Sequence, residues 1–467
     1  MKIYSRLVSI LKLIGQGIRG VQADITGGSI DRAIILLSIP MILEMAMESL
    51  FAVVDIFFVS KIGIDAVAVV GLTESILTIV YSLGWGLAMG ATAIIARRVG
   101  EKNNEAAAVT AVQAIYIALF VSSLISITGI FFSENILHFM GASSEVIQQG
   151  KGFTKIMLTG NFVIMFIFLI NGIFRGAGNA ALAMRSLWLA NVINIVLDPL
   201  FIFGVGPFPE LGLEGAAVTT TIGRTAGVIY QLYHLFKGKG IIKIDADNWK
   251  TDWTIIKSLI NVSAGSTAQF IIASASWIFL MRIMAHFGSI ALAGYTIAIR
   301  VIIFTILPAW GMANAAATMV GQNLGAKQPD RAEKSVWRAG FFNMIFMFFV
   351  MVIFLLFAKP IVSFFTDETE VIHYAAQCLT IVSVGYIFFS YGMIVAQSFN
   401  GAGDTRTPTI LNFFAFWCIQ IPLAYLLAIT LGFGPTGLFS SLVISETLLT
   451  IAGILIFKRG KWKEVKI

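Results

Sequence analysis

Apolar stretches long enough to cross a membrane recur along almost the whole of this 467-residue chain. A transmembrane helix needs roughly 20 consecutive, mainly apolar residues. Charged residues make up only 12% of the sequence, about half of what a soluble protein carries. We therefore predict an all-α integral membrane protein with twelve transmembrane helices and short loops. The predicted spans lie at roughly 33–60, 65–96, 106–132, 150–173, 181–205, 212–236, 255–286, 290–320, 337–358, 371–398, 408–431 and 436–457.

The second six apolar stretches repeat the first six at a constant spacing. Trp85-Gly86 returns 225 residues later as Trp310-Gly311, and the segment beginning at Phe174 (Phe-x-Gly-Ala-Gly) returns at the same spacing. Such self-similarity is the signature of an internal repeat. Each repeat has an even number of predicted spans, so both enter the membrane in the same direction. We therefore predict two six-helix bundles related by a pseudo-two-fold axis along the membrane normal, with a cleft between them.

Polar segments divide the chain into five predicted parts. The N-terminal segment interleaves Lys2, Arg6, Lys12 and Arg19 with apolar residues at helical spacing, which is typical of a basic helix lying on the membrane surface. The predicted parts are an N-terminal interfacial segment (1–30), a first lobe (31–236), a cytoplasmic linker (237–252), a second lobe (253–457) and a basic cytoplasmic tail (458–467).

The distribution of loop charges predicts that both termini are cytoplasmic, because cytoplasmic loops collect Lys and Arg. The opposite loops hold only a few such residues, namely Lys61, Lys151, Lys155 and Lys359. The predicted cytoplasmic face collects Arg97, Arg98, Lys102, Arg175, Arg185, Lys237, Lys239, Lys243, Lys250, Lys327, Arg331, Lys334, Arg338, Arg406, Lys458, Arg459 and Lys461.

The first predicted helix contains three carboxylates, Glu44, Glu48 and Asp55. At 100° and 1.5 Å per residue they share one stripe about 16 Å long. A charge inside a membrane is expensive, so it usually faces a cavity or a partner. The stripe predicts a helix that lines a water-filled cleft and attracts cations. Structural pairing of these acids with neighbouring helices is the alternative.

The fifth predicted helix contains Asn194 and Asp198, one turn apart on the same face, followed by Pro199. The proline lacks an amide hydrogen and frees a carbonyl one turn earlier. A carboxylate, an amide oxygen and a free carbonyl can together hold a proton or a hard cation such as Na⁺. With a cytoplasmic start, Asp198 and Asp55 both lie in the outer halves of their helices. They are therefore predicted to share one site.

Two further ionisable groups lie within the first repeat. Arg224 follows the run Thr219–Thr221 on the sixth predicted helix, and Glu74 lies on the second. An unpaired guanidinium near mid-span is very costly, so Arg224 is expected to pair with an acid of the same repeat. Glu44, Glu48, Glu74 and Arg224 are thus candidates for cation attraction or for a charge network.

Several other classes of chemistry have no support in the sequence. The four histidines lack metal-ligand spacing, and Cys378 and Cys418 both lie in apolar stretches, which makes a disulfide framework unlikely. No convergent nucleophile or metal cluster suggests an enzyme, and no cofactor is predicted. The net charge of +7 needs no nucleic-acid partner, because basic cytoplasmic loops explain it.

The chain resembles the multidrug and toxic compound extrusion (MATE) family over nearly its whole length, and within it the DinF-like prokaryotic branch. The order and spacing of several motifs together make the resemblance specific. They are Leu37-Ser-Ile-Pro40, Asp55, Ala96-Arg-Arg-Val-Gly100, Phe174-Arg-Gly-Ala-Gly178, Asn194-Ile-Val-Leu-Asp198-Pro199, Gly215-Ala-Ala217 and Val320-Gly-Gln-Asn-Leu-Gly-Ala326.

The resemblance implies a V of two six-helix bundles that exports organic cations and lipophilic drugs. It implies alternating access driven by H⁺ or Na⁺ antiport in the plasma membrane of a prokaryote. The residues matching Asp55 and Asp198 bind the coupling ion in that branch, with oxygen donors matching Asn194 and Thr220. Glu44, Glu48 and Arg224 depart from the branch pattern. A cationic, amphipathic small molecule, membrane lipid and a monomeric state are the expected partners and assembly.

A flippase for lipid-linked saccharides, from the same wider superfamily, is the alternative function. Such a protein handles anionic pyrophosphate groups, so its cleft should be rich in Arg and Lys. The first repeat instead has five acids within its predicted spans against Arg224, which favours cationic cargo. An ion channel has no support from a filter-like repeat.

Overall fold

The computed structural model describes residues 2–21, 24–238 and 240–467, with side chains for all of these except 2–10 and 64. The described residues form helices and contain no β-strand. Helix α1 (Lys2–Arg19) precedes the first repeat, which consists of α2 (Ile30–Ser60), α3 (Ile64–Gly100), α4 (Asn104–Phe139), α5 (Ser144–Thr159), α6 (Asn161–Gly176), α7 (Ala180–Phe203) and α8 (Leu213–Lys237).

The second repeat follows a short 3₁₀ helix at Ala246–Trp249. It consists of α9 (Trp253–Ala285), α10 (Ser289–Gly325), α11 (Pro329–Ser363), α12 (Thr369–Val384), α13 (Tyr386–Ala402), α14 (Arg406–Thr430) and α15 (Pro435–Lys458). Two stretches of α14 have π-helical geometry, Phe414–Gln420 and Leu426–Thr430.

Nine helices of the described chain are long and apolar enough to cross a membrane, counting α5 and α6 as one span. The number is ten if α12 and α13, which meet at a 60° bend, also form one span. The helices α2 and α8 have spanning length too, with 31 and 25 residues, but they contain the charged residues singled out in the sequence. Including them gives a total that fits the predicted twelve, and the all-α membrane fold is confirmed.

The two repeats have matching irregularities as well as matching helices. The breaks between α5 and α6 and between α12 and α13 fall at Gly160 and Gly385, again 225 residues apart. Lys102 and Lys327, at the same spacing, are the two non-glycine residues with positive φ in the described chain, at 60° and 57°. Since strained backbone is costly, its recurrence at equivalent positions shows that the repeat extends to the turns.

The first helix of each repeat packs against the second helix of the other, α2 against α10 and α9 against α3. The closest approach lies where α3 and α10 end. A Cβ on Gly100 would lie 2.0 Å from the carbonyl oxygen of Gln322, and one on Gly325 would lie 2.1 Å from that of Arg97. Only glycine allows backbones this near to each other.

The hydrogen bonds that join the two repeats within the described chain also lie at this end of the molecule. The Gln322 amide donates to the carbonyl of Gly176 at 2.9 Å, and the Arg97 guanidinium donates to that of Ala402 at 3.2 Å. The start of α2 is bonded to α11 at the same end through the ion pair between Asp31 and Arg338. The repeats are therefore joined at one end, called here the closed end.

The C-terminal segment is folded against the closed end. Trp462 is 1% exposed and its ring stacks on Phe457 at 4.6 Å between centroids. The Arg97 guanidinium also donates to the carbonyl of Val465 at 3.0 Å, and the Lys463 ammonium pairs with Glu333 at 2.6 Å. The predicted basic tail thus contacts both repeats. The linker residue Lys239 lies outside the described residues.

Candidate functional site

The carboxylate of Asp198 is fully buried between α7 and α8. The two helices approach closely because Gly223 has no side chain, and a Cβ there would lie 2.4 Å from the carbonyl oxygen of Ala190. The Asn194 amide donates to Asp198 Oδ1 at 3.1 Å and to the Thr220 hydroxyl at 3.2 Å. The Thr219 hydroxyl donates to the same Asp198 oxygen. Three of the four predicted ion-binding residues are therefore in one hydrogen-bonded cluster.

Two oxygens of this cluster have no partner in the described chain, although both are buried. They are Oδ2 of Asp198 and Oδ1 of Asn194. Leaving a buried acceptor unpaired costs about 1–3 kcal/mol. A proton on the carboxyl group, or a hard cation among the oxygens, would satisfy them. The donor set fits either ion, and no group of three or more His, Cys, Asp or Glu that could hold a metal ion occurs in the described chain.

Asp55, the fourth predicted residue, lies on α2 facing this cluster. The C-terminal part of α2 packs on α7, where the rings of Phe58 and Phe203 are 6.4 Å apart. The Asp55 carboxylate is half-buried and makes no hydrogen bond to the described residues. It lies within electrostatic range of Asp198, Glu74 and Arg224. The site thus has two neighbouring carboxylates, one fixed by hydrogen bonds and one free of them.

The family resemblance implies Thr220 as an oxygen donor and does not indicate the more direct contact of Thr219 with Asp198. The hydroxyl of Thr219 bonds to the carboxylate itself, whereas Thr220 bonds to Asn194. The hydroxyl of Thr221 faces away and donates to the carbonyl of Ala217 at 2.8 Å. The rotation of α8 about its axis decides which hydroxyl faces α7, and a run of three threonines does not reveal that rotation.

Arg224 is paired with Glu48. Its Nη2 lies 2.7 Å from Oε1 of Glu48 and its Nη1 lies 3.3 Å from Oε2. The Asn191 amide donates to the same carboxylate at 3.2 Å. The guanidinium also lies over the rings of Phe51 and Phe168, at 5.0 and 5.8 Å. The arginine therefore has the acidic partner in its own repeat that the cost of burying it requires.

Glu44 is 1% exposed and pairs with Arg175 of α6 at 3.1 Å. The Asn171 amide donates to the same carboxylate oxygen at 3.0 Å. Arg175, which the sequence places among the basic residues of the cytoplasmic face, lies in the last turn of α6. The structure leaves it 8% exposed, because Glu44 gives the guanidinium a carboxylate partner inside the helix bundle.

Glu74 differs from Glu44, Glu48, Asp55 and Asp198, because it is exposed on α3. Arg300 of α10, also exposed, lies within its electrostatic range. Both residues come from the helices that converge at the closed end. Glu74 therefore lies on the open surface between the repeats and not within the Asp198 cluster.

Aromatic side chains of both repeats meet between α3, α9 and α10. The Phe270 ring lies 5.2 Å from Trp85 and 5.9 Å from Trp310, the tryptophan at the equivalent position of the other repeat. Together with Met45 and Met89 they line a narrow cavity. This cavity offers aromatic faces and flexible thioethers, which suit apolar or cationic organic molecules.

Comparison with known proteins gives consistent matches over most of the chain. The MatE family model matches residues 40–200 and 266–426, one match in each repeat. The probable multidrug resistance protein NorM of Thermotoga maritima is 25% identical over 441 residues, which cover 93% of this chain and 94% of that protein.

Two solved structures share the fold and have 28% sequence identity each. One is an outward-facing conformation of a multidrug resistance MATE family transporter of the MOP superfamily, with a TM-score of 0.89 over 95% of this chain and 98% of the other. The second is a MOP superfamily transporter from Pyrococcus furiosus, described as having a binding pocket of reverse polarity that suggests a different function; its TM-score is 0.89 over 96% and 99% of the two chains. The chain therefore belongs to the MatE family of membrane transporters.

Proposed function

We propose that this protein exports small organic cations and lipophilic drugs by exchanging them for H⁺ or Na⁺. The coupling ion binds at Asp55 and Asp198, with Asn194, Thr220 and Thr219 as oxygen ligands or hydrogen-bond partners. The observation that supports this most directly is the buried Asp198 carboxylate with its unpartnered oxygen, next to a second carboxylate. Burying an incompletely paired acid in a membrane domain costs free energy. Binding of a proton or cation would offset that cost, which is why we assign the acid to ion binding.

The way the repeats meet supports alternating access as the transport mechanism. Glycine contacts and hydrogen bonds join the repeats at the closed end, and Asp55 and Asp198 lie away from it. Loop charge assigns the closed end to the cytoplasm, with both termini on that side. The molecule is then outward-facing, as the similar MATE transporter is described to be. Ion binding shifts the equilibrium between the outward-facing and inward-facing conformations only if the ion has different affinities for the two.

The distribution of charge supports cationic cargo. Arg175 neutralises Glu44 and Arg224 neutralises Glu48, whereas Asp55, Glu74 and Asp198 have no ion-pair partner within 4.0 Å among the described residues. The first repeat is therefore net negative around the candidate site. The name of the Thermotoga maritima relative, a probable multidrug resistance protein, agrees with this choice. A carrier of lipid-linked pyrophosphates would need the opposite sign.

The site assignment is tested with Asp55→Asn and Asp198→Asn in proteoliposomes, using ethidium as cargo. Each substitution preserves size and removes the titrating group. We expect gradient-driven ethidium transport to be lost in both variants. Asp65→Asn is the matched control, because Asp65 is an exposed acid in the first turn of α3. Driven transport at the wild-type rate in both site variants would refute the assignment.

A further inference from the structure

The buried pair of Glu44 and Arg175 has a neutral counterpart in the second repeat. The positions 225 residues later are Gln269 and Asn400, which exchange two hydrogen bonds at 3.0 and 3.1 Å. Both amides are buried, at 8% and 3% exposed. The same helix contact is therefore made in one repeat by an ion pair and in the other by two amides. Holding the helices together does not require the charges.

The Glu44 carboxylate uses only one of its two oxygens. Oε1 accepts from both Asn171 and Arg175, whereas Oε2 is buried and has no partner in the described chain. Behind Asn171, the Gln231 amide donates to its side-chain oxygen at 2.6 Å, and Oε1 of Gln231 is itself buried and unpartnered. A carboxyl proton on Oε2 would supply a donor to a region rich in acceptors.

Polar groups connect Glu44 with the ion site further along α2. Glu48 lies one turn beyond Glu44, about 6 Å along the axis, and it accepts from Asn191 of α7. Asn191 in turn lies one turn from Asn194, which bonds to Asp198. From Asp198 to Glu44, buried oxygen acceptors that have no hydrogen-bond donor in the described chain occur all along this connection. They are Asp198 Oδ2, Asn194 Oδ1, Asn191 Oδ1, Glu44 Oε2 and Gln231 Oε1.

Arg175 connects the other end of the series with the contact between the repeats. Its side chain lines the narrow cavity with Asn314, and its carbonyl accepts from the Thr318 hydroxyl of α10 at 3.2 Å. The next carbonyl, that of Gly176, accepts from Gln322. Separation of the repeats at the closed end would break these bonds and admit water beside the Glu44–Arg175 pair.

We infer that Glu44 is a second proton-binding station, through which the coupling proton passes from the Asp55 and Asp198 site towards the closed end. The O–H bond on Asp55 or Asp198 breaks as one forms on a water molecule of the cleft, and water then gives up the proton as an O–H bond forms on Glu44 Oε2. When the repeats separate at the closed end, that bond breaks and the proton passes to the water admitted there. The charged groups facing Glu44 are Arg175 of α6 and Glu48 of α2, while α7 and α8 offer the neutral Ser186 and Gln231. The inference rests on the proposed function, with H⁺ as the coupling ion.

The test exchanges the ion pair for the pair that the second repeat already uses. The variant Glu44→Gln/Arg175→Asn is compared with wild type in proteoliposomes, with ethidium as the cargo. Three quantities are measured, namely ethidium transport driven by a pH gradient, ethidium exchange without a gradient, and ethidium binding as a function of pH.

We expect the double variant to retain gradient-free ethidium exchange. Because Arg175 lines the narrow cavity, driven transport is divided by the exchange rate of the same variant, and the binding measurement detects any change in ethidium affinity. Transport driven by the pH gradient should fall at least about tenfold, because positioned proton-transfer groups contribute factors of this size or more. Driven transport at the wild-type rate would overturn the inference. Loss of exchange together with driven transport would also overturn it, since the pair would then have a structural role.

Glu44→Asp gives a second test that does not require the double variant to fold. It keeps the titrating group and should retain driven transport with a shifted pH dependence, whereas an unchanged pH profile would contradict the inference. Asp198→Asn distinguishes failure of the proposed ion site from failure of the role inferred for Glu44. If it retains driven transport, the proposed function fails; if it loses driven transport while the Glu44 variants are unaffected, only the present inference fails.

Discussion

The Arg224 guanidinium forms two hydrogen bonds with the Glu48 carboxylate inside the first repeat, at 2.7 and 3.3 Å. The arginine side chain is 5% exposed and that of the glutamate 18%. A buried pair of this kind adds little net stability, because desolvation offsets the attraction. Breaking it is costly, because one charge then stays buried without its partner.

This difference predicts opposite results for single and double substitutions. Arg224→Met should destabilise the protein by about 3–5 kcal/mol, since Glu48 is left uncompensated. The double variant Glu48→Met/Arg224→Met should recover most of that loss. Thermal unfolding of purified protein in detergent, followed by intrinsic fluorescence, measures both. A double variant no more stable than Arg224→Met would contradict the pairing.

The second prediction concerns the hydroxyl groups on α8. Thr219→Val removes the hydrogen bond to Asp198, and a hydrogen bond to a charged group is worth about 1.5–3 kcal/mol. The ion concentration that half-inhibits ethidium binding should therefore shift by roughly tenfold or more. Thr221→Val is the matched control, because that hydroxyl bonds only to the backbone. Equal shifts in the two variants would rule out a special role for Thr219.

The third prediction concerns closure at Gly100. A Cβ there would lie 2.0 Å from the Gln322 carbonyl oxygen, so Gly100→Val should prevent the repeats from meeting at the closed end. We expect folded protein with strongly reduced transport, and a cysteine introduced at Ala326 should become more accessible from that side. Gly71→Val on the same helix meets nothing within 4 Å and should behave as wild type. Normal transport by Gly100→Val would show that this contact is not required.

The fourth prediction concerns pH and the C-terminal segment. The hydrogen bond from Lys463 lowers the pKa of Glu333 below its ordinary value. A depressed carboxyl pKa means that the stabilisation is present near neutral pH and is lost as the pH falls through the folded-state pKa. A spin label at Lys466 in a cysteine-free background should therefore become more mobile in acid. Glu333→Gln should be mobile already at neutral pH, and a label insensitive to both changes would refute the contact.

Several features of the fold were predictable because they depend on local composition and periodicity. The apolar stretches determine the spans, and the 225-residue spacing of Trp85 and Trp310 predicts the repeat that the structure shows. The grouping of Asn194 with Asp198 follows from helical spacing alone. Proximity of Asp55 to that pair depends on helix packing. The similar depth of Asp55 and Asp198 in their helices suggests a shared site, and the family resemblance implies the same.

The partners of buried charges were less predictable, because they depend on how helices distant in sequence rotate against each other. Glu44 and Arg175 are 131 residues apart, and the position of Arg175 near the end of α6 does not indicate a carboxylate partner inside the helix bundle. The sequence predicts that Arg224 pairs with an acid of the first repeat, but it does not indicate which of the acids is the partner. The fold of the C-terminal segment likewise depends on the stacking of Trp462 on Phe457, which composition does not indicate.

Transport of ethidium by the wild-type protein in proteoliposomes tests the central claim most directly. An inward-directed H⁺ or Na⁺ gradient is imposed separately across vesicles of known protein orientation, and ethidium movement is followed by fluorescence. The proposed antiport predicts ethidium movement against the direction of one of the two ions, and none when that gradient is collapsed. Folded protein that moves no ethidium under either gradient would contradict cation-coupled export.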